Sequence, residues 1–364
     1  MGSQRCPNSR VRADMRIAVC FLGDSSDPSA FSGIPSGVTK ALGDAGHTVL
    51  RVNTALPPGP ARFADRLPQF HPERCILHSR IAASALARLE YDAVVQIGSE
   101  FTIDTDRPTV TYDDMTVVQH IRQNDDWFCT YPRRAREAWR KRQAYAFANA
   151  DRCCVLTRWA ADSIVQDYGQ PEGKVHVIGL GGNNVIERPA DRDWSRPRYL
   201  IVAKNWRRKN VPLVIETFSR LRDVHPEATL DVVGPYDVAA PPGVTLHGYR
   251  DLRIPADRET VESLFRAATC YVMPSTHEAA GLVFVEAGAA GIPSIGTTIG
   301  GVRELIGPGG AVVDPTDADA LLDQMLRMAD PAEAQRLGAL AAEHARWYTW
   351  PATVQRLVKV LEEI

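Results

Sequence analysis

Along the chain, short runs of apolar, largely β-branched residues alternate with longer stretches in which apolar residues return every three or four positions. The first rhythm is that of a buried strand, the second that of a helix packed on one face. In the first half the strand pattern falls on "RIAVCFLG" (16–23), "HTVLRVN" (47–53), "AVVQIGS" (93–99), "TVTYDD" (109–114), "RCCVLT" (152–157) and "KVHVIGL" (174–180). Helical stretches such as "GVTKALGDAG" and "PRRAREAWRKRQAYAFANA" lie between them. A charged, proline-bearing, aperiodic stretch follows, "ERPADRDWSRP" (187–197), which suits a linker. The rhythm then restarts with "YLIVAK" (199–204), "LDVVG" (230–234), "VTLHG" (244–248), "CYVMP" (270–274), "IPSIGTT" (292–298) and "GAVVD" (310–314).

Near-continuous apolar strands separated by helices make parallel sheets covered on both faces. The expected fold is therefore α/β, with two doubly wound, Rossmann-like parallel-sheet domains facing each other across a cleft. The expected boundaries are a polar, basic, disordered extension at 1–14, a first domain at 15–186, the linker at 187–197 and a second domain at 198–347. In open parallel sheets ligands bind beyond the carboxyl ends of the strands. Polar residues at strand ends are thus expected to face the cleft.

Composition narrows the partners. The 364 residues are 45% hydrophobic and 24% charged with a net charge of −2, which gives no reason to expect nucleic acid. Seven cysteines, with Cys153 and Cys154 adjacent, show no metal-ligand spacing and read as reduced thiols of a cytoplasmic protein. No apolar run reaches the roughly eighteen residues of a membrane span, and residues 1–14 lack the apolar segment of a signal peptide.

The polar residues that stand out are acids in an apolar setting. In "PSTHEAAGLVFVEAGAAGIPSIGTT" (274–298), Glu278 and Glu286 are eight positions apart among small and apolar residues. A carboxylate is costly to bury without a partner. The helix is expected to begin near Gly281, so the amides of Ala280, Gly281, Leu282 and Val283 are its unpaired donors, with the positive end of the dipole behind them. A phosphate there would leave one carboxylate for a polyol on each side. The competing reading is a helix cap at Glu278 with Glu286 on a solvated face. Upstream, "YLIVAKNWRRKN" (199–210) puts Lys204 at a strand end and Lys209 before a helix start, where cations oppose the dipole unless an anion sits above them.

These segments, with "LDVVGPY", "VTLHGYRD" and "GGAVVDPTDADAL" in order, resemble the donor domain of retaining glycosyltransferases of family four, which have the GT-B fold. The first half carries looser echoes in "AGHTVLRV" and "ADRCCVLTRWAADSIVQDYGQPEGKVHVIGLGGN". The end, 348–364, resembles the helix that returns to the first domain. The resemblance implies a nucleotide-sugar donor and transfer to an acceptor hydroxyl with retention of configuration. No metal or other cofactor is expected. It assigns Glu286 to the ribose, Glu278 to the transferred sugar, and Lys204 and Lys209 to the diphosphate. Lys204 stands where relatives usually have arginine and gives up bidentate phosphate contact. Backbone at Gly248, Tyr249 and Arg250 is expected to border the base, and Gly33 to admit the phosphates. His277 could touch the same sugar or serve a local hydrogen bond. Where many relatives carry a histidine after the fourth strand, this chain has Asp113 beside Asp114, and Asp113 is the expected match. Rival readings are a GT-B epimerase or phosphorylase and a non-catalytic nucleotide- or glycan-binding module. The acceptor is expected to be a glycan, a lipid-linked molecule or a small molecule. The basic helix at 131–150 could meet an anionic membrane, in keeping with a cytoplasmic enzyme peripheral at its inner face, or pack its stripe of Ala135, Trp139, Ala146 and Ala150, interrupted by Gln143, on the sheet.

Overall fold

Each of the twelve expected strands forms, and all but the second are shortened by a residue or more at the carboxyl end as the chain turns away. In the first half these are β1 (Arg16–Phe21), β2 (Thr48–Asn53), β3 (Ala93–Ile97), β4 (Thr109–Asp113), β5 (Arg152–Val155) and β6 (Val175–Val177). In the second they are β7 (Arg198–Val202), β8 (Thr229–Val233), β9 (Val244–Leu246), β10 (Cys270–Val272), β11 (Ser294–Thr297) and β12 (Gly310–Val313). The computed structural model describes residues 14–27, 30–56, 67, 71–124, 126–184, 186–236 and 239–364. All of the expected extension except Asp14 lies outside them.

The strands form two six-stranded sheets, ordered β2-β1-β3-β4-β5-β6 and β12-β11-β10-β7-β8-β9. Every pairing is parallel. This is the GT-B architecture. In the second sheet the order reverses between β7 and β10, so the loops leaving these neighbours diverge and open a crevice between them. Those loops carry Lys204, Lys209 and Glu278. In the first sheet the reversal lies between β1 and β3, whose following loops carry Gly33 and Ser99.

Packing holds the crevice floor in place. Tyr271 on β10 stacks on Phe265 with ring centres 5.9 Å apart and meets Phe284 edge-on at 5.7 Å. Phe284 belongs to the helix Leu282–Ala289, so this aromatic row seats that helix under the strand end. The basic helix Arg133–Asn149 buries Ala135, Trp139, Gln143, Ala146 and Phe147. Gln143 interrupts the apolar stripe at no loss. Its Oε1 accepts from the Val117 amide at 2.8 Å and its Nε2 donates to Ser99 Oγ at 3.2 Å. The apolar face is thus spent on the first domain, leaving Arg133, Arg134 and Lys141 exposed.

The last helix, Trp350–Glu362, packs on the first-domain helix Ile34–Asp44. Its entry is fixed by Thr349, whose hydroxyl accepts from the Ala352 amide at 3.3 Å. A Cβ on Gly37 or on Gly181 would run into Trp350. Both glycines are there for close approach. We therefore expect Gly37→Ala to destabilise the fold by about 1–3 kcal/mol in chemical denaturation, despite alanine's better helix propensity, and Trp350→Ala in the same chain to restore part of that loss.

Candidate active site

The loop after β10 builds the centre of the site. It ends at Gly281 with φ 80°, ψ 71°, a left-handed conformation that turns the chain into the helix Leu282–Ala289. A Cβ at Gly281 would lie 2.7 Å from the Phe284 ring. No side chain caps this helix, so its first amides are open to a ligand, and they belong to the segment Ala280, Gly281, Leu282 and Val283. From the other side Gly300, at φ 72°, lies so close to the Glu278 carbonyl that no side chain fits.

Glu278 is 8% exposed. Its carboxylate is paired with Lys209, accepts from Ser275 Oγ at 3.3 Å and stands 4.0 Å from Arg208 Nη1. Burial pushes its pKa up, but the charges of Lys209 and Arg208 and the hydrogen bonds outweigh that and hold it below the ordinary glutamate value. The two loops are also stitched by backbone, with the Thr276 amide donating to the Arg208 carbonyl at 2.9 Å and Arg208 Nη1 to the His277 carbonyl at 3.3 Å. The His277 ring itself bonds Thr276 Oγ1 at 3.1 Å. Lys204 is exposed, its ammonium 5.9 Å from the centre of the Tyr249 ring. Gly248 takes φ 70° and its carbonyl accepts from the Gly234 amide at 3.0 Å. Tyr249 is half exposed, and Arg250 is tied to Asp257 at 3.1 Å.

Glu286 is held differently. Its Oε1 accepts from the amides of Asn183 and Asn184, at 3.2 and 2.9 Å, and from Asn184 Nδ2 at 2.9 Å. These residues follow β6 in the first domain, so the second carboxylate is gripped from across the cleft. With no cation beside it, burial raises its pKa to about 7 against the pull of these bonds. Asn183 also donates through Nδ2 to the Ser32 carbonyl at 2.6 Å, which places Gly33 (φ 78°) beside the same turn.

On the first-domain wall the structure corrects the choice between the two aspartates. Asp113 turns inward, its Oδ1 accepting from the Ser99 amide at 3.0 Å and from Ser99 Oγ at 2.5 Å, and Oδ2 is buried without a hydrogen-bond partner. Burial raises its pKa to about 7. It is Asp114, one residue past the end of β4, that lies within electrostatic reach of both His120 and Glu278, with a pKa raised to about 6 by burial. The last residue of the strand packs on Ser99 under the helix Arg133–Asn149, and the next one feels charges from both domains.

Among the described residues, one group has ligand atoms close enough to share a metal ion, His71, Cys75 and Glu100, all within 4.8 Å. His71 Nε2 lies 3.1 Å from Glu100 Oε2. Cys75 Sγ is 3.8 and 3.6 Å from the two ring nitrogens, nearly equidistant, and so lies off the lone-pair direction of either. Burial pushes the Cys75 thiol up to about 12, and the ring stacks on Trp139 at 4.4 Å. The imidazole and the carboxylate share a hydrogen bond, and the thiol lies beside the ring. A groove of about 330 Å³ lined by Asp104, Arg107, Asp151 and Ile364 lies at the opposite, amino end of β4 and has no part in the site.

Sequence reasoning passed over Gln123, Asn183, Asn184 and Glu304, each of which reaches the other domain. The one local signal was the polar turn "GGNN" just beyond β6.

Comparison with known proteins agrees with this geometry. Residues 196–330 match the family described as glycosyl transferases group 1. The family match thus falls on the second domain. A D-inositol 3-phosphate glycosyltransferase of Streptomyces avermitilis is 32% identical over 231 residues, covering 56% of this chain and 50% of that protein. One of Catenulispora acidiphila is 29% identical over 247 residues, 60% of this chain and 58% of that protein. The chain thus spans about half the length of the curated relatives it matches. Among solved structures, a sucrose-phosphate synthase from Thermosynechococcus elongatus superposes with a TM-score of 0.73 at 20% identity, covering 96% of this chain and 98% of that one. A glycosyltransferase involved in lipopolysaccharide biosynthesis gives 0.65 at 15%, covering 95% and 99%. At these identities the likeness is one of fold.

The raised pKa of Glu286 has a sign that can be checked. Between the ordinary glutamate value and about 7, the unfolded chain has released a proton that the folded one keeps, so stability falls as pH rises through that window. Denaturant unfolding of the wild-type protein and of Glu286→Gln should therefore diverge, the wild type losing on the order of 1–3 kcal/mol relative to the variant between about pH 4.5 and 7.5.

Proposed function

We propose that this protein transfers a glycosyl group from a nucleoside-diphosphate sugar to an acceptor hydroxyl, with retention of configuration. The observation that carries the reading is the uncapped start of the helix Leu282–Ala289 beside a buried, lysine-paired Glu278 at the crevice between β7 and β10. The diphosphate would stand over the open amides between Lys204 and Lys209. Glu286, with Oε1 already engaged, offers Oε2 to a ribose hydroxyl. The backbone at Gly248 and Tyr249 would border the base, and Glu278 and the His277 loop would border the sugar. Lys209 shares its charge with Glu278 at rest and can turn part of it to the departing phosphate, the electrostatic strategy that suits a leaving dianion.

In this reaction the anomeric carbon–oxygen bond to the diphosphate breaks as the acceptor oxygen bonds to the same face, and the acceptor proton passes to a leaving phosphate oxygen. Asp114 and His120 line the acceptor side and can orient the hydroxyl. The acceptor, whether glycan, lipid-linked or small, meets the first domain. The reading places the protein in the cytoplasm, consistent with six free cysteines, five of them buried, among the described residues. Among those residues no helix is long and apolar enough to cross a membrane. Contact with anionic lipid would rest on the exposed Arg133, Arg134 and Lys141 alone. Salt-sensitive flotation with anionic liposomes is the expected sign, and its lack removes that contact.

Purified protein should be stabilised thermally by a nucleoside diphosphate and release one on incubation with the matching sugar nucleotide and acceptor. Lys209→Ala should weaken diphosphate binding and lower turnover by about 100-fold or more. Asp114→Asn should lower transfer while leaving diphosphate binding within about twofold. No stabilisation by any of the uridine, guanosine, adenosine, cytidine or thymidine diphosphates would overturn the reading.

A further inference from the structure

Among the described residues, three sets of hydrogen bonds reach across the cleft. Glu304, on the helix Val302–Ile306, accepts from the amides of Arg158 and Trp159 at 2.7 and 2.9 Å, at the start of the helix Arg158–Tyr168. Glu286 is held by Asn183 and Asn184 as described. The third set converges on the other acid by a different route. Gln123 donates from Nε2 to the Glu278 carbonyl at 2.8 Å, and its Oε1 accepts from the Glu278 amide at 3.2 Å. One planar side-chain amide thus takes up both backbone groups of the residue whose carboxylate Lys209 holds.

Gln123 is well placed to transmit a position. It ends the helix Val117–Gln123, three residues beyond His120 and so on the same face. That helix starts just past Asp114 and is fixed at both ends. Thr116 and Gln119 form a capping box, Gln119 Nε2 donates to the Trp159 carbonyl at 2.7 Å, and Arg122 makes two bonds to Asp167, at 2.8 and 2.6 Å. The element that carries the acceptor-side histidine therefore also grips the loop that carries the donor-side glutamate. An opened cleft would leave the Glu278 amide and carbonyl to water.

We propose that Gln123 is a positioning residue that makes the placement of Glu278 depend on domain closure, setting the donor loop and the acceptor-side helix at their working distance through one amide. The proposal rests on the transfer reading above. Gln123 touches neither donor nor acceptor in it, and acts through Glu278.

The test uses the full chain and has two arms. Without substrate, hydrogen exchange of the Glu278 amide should be about tenfold faster in Gln123→Leu, with exchange in β10 unchanged. With a sugar nucleotide that the wild type turns over, kcat should fall about 10- to 100-fold, and hydrolysis of the donor should rise relative to transfer. Affinity for the corresponding nucleoside diphosphate should stay within about twofold, a split that simple loss of structure would not give. Should the leucine variant fail to fold, Gln123→Glu keeps an acceptor for the Glu278 amide but loses the donor to its carbonyl. Its exchange should stay slow while kcat still falls. Unchanged exchange in Gln123→Leu overturns the clasp whatever the reaction is. Faster exchange with unaltered kcat and unaltered hydrolysis overturns the positioning role. A wild type that turns over no donor while exchange still responds sinks the transfer reading, and the positioning role with it.

Discussion

A carboxylate taken out of water stays firmly ionised only beside a cation, and one such pair at the foot of the cleft organises the second domain. Glu278 finds Lys209, with Arg208 behind it. Because the acid follows β10 and the bases follow β7, the ion pair bridges the two loops that the sheet topology sends apart. Breaking one member would strand the other in a buried site, a far larger loss than that of an exposed pair. The tight approach of Gly300 to the Glu278 carbonyl and the Phe284 ring under Gly281 serve the same end, since both hold the acid where its partner can reach it.

The second acid shows what the same side chain does without a cation. Glu286 is as deeply buried, yet its partners are neutral N–H groups, and its pKa moves up where that of Glu278 moves down. Hydrogen bonds to a carboxylate favour the ionised form, but here they do not cancel burial. One glutamate is thus held ionised, and the other is balanced between its two forms near neutral pH.

Much of this was readable in advance, for physical reasons. Strands of a parallel sheet are covered on both faces, so β1 to β12 stand out as apolar runs with little polar admixture. Glu278, Glu286 and Lys209 stand out because each is a charge in an apolar or dipole-opposed setting. The choice between Asp113 and Asp114 was not readable. At a strand end alternation allows either, and what decided it was Ser99, fourteen residues away, bonding the first of them. Gln143 looked like a flaw in an apolar stripe because its partners, the Val117 amide and Ser99, are distant in sequence. The contacts across the cleft were invisible for the same reason. Gln123 and Glu278 are separated by 155 positions, and no local period records such a pairing.

The seat of Trp350 has a consequence for how the molecule can move. Its indole Nε1 donates to Asn183 Oδ1 at 3.2 Å, in the same turn that grips Glu286, while its ring lies against Gly37 and Gly181. The chain passes between the two halves once just after this turn and again just before this tryptophan, so both crossings run side by side. Two bodies tied at adjacent points cannot slide past one another. The freedom left to them is a swing about the line through the ties, which parts the far rim of the gap most and the tied edge least.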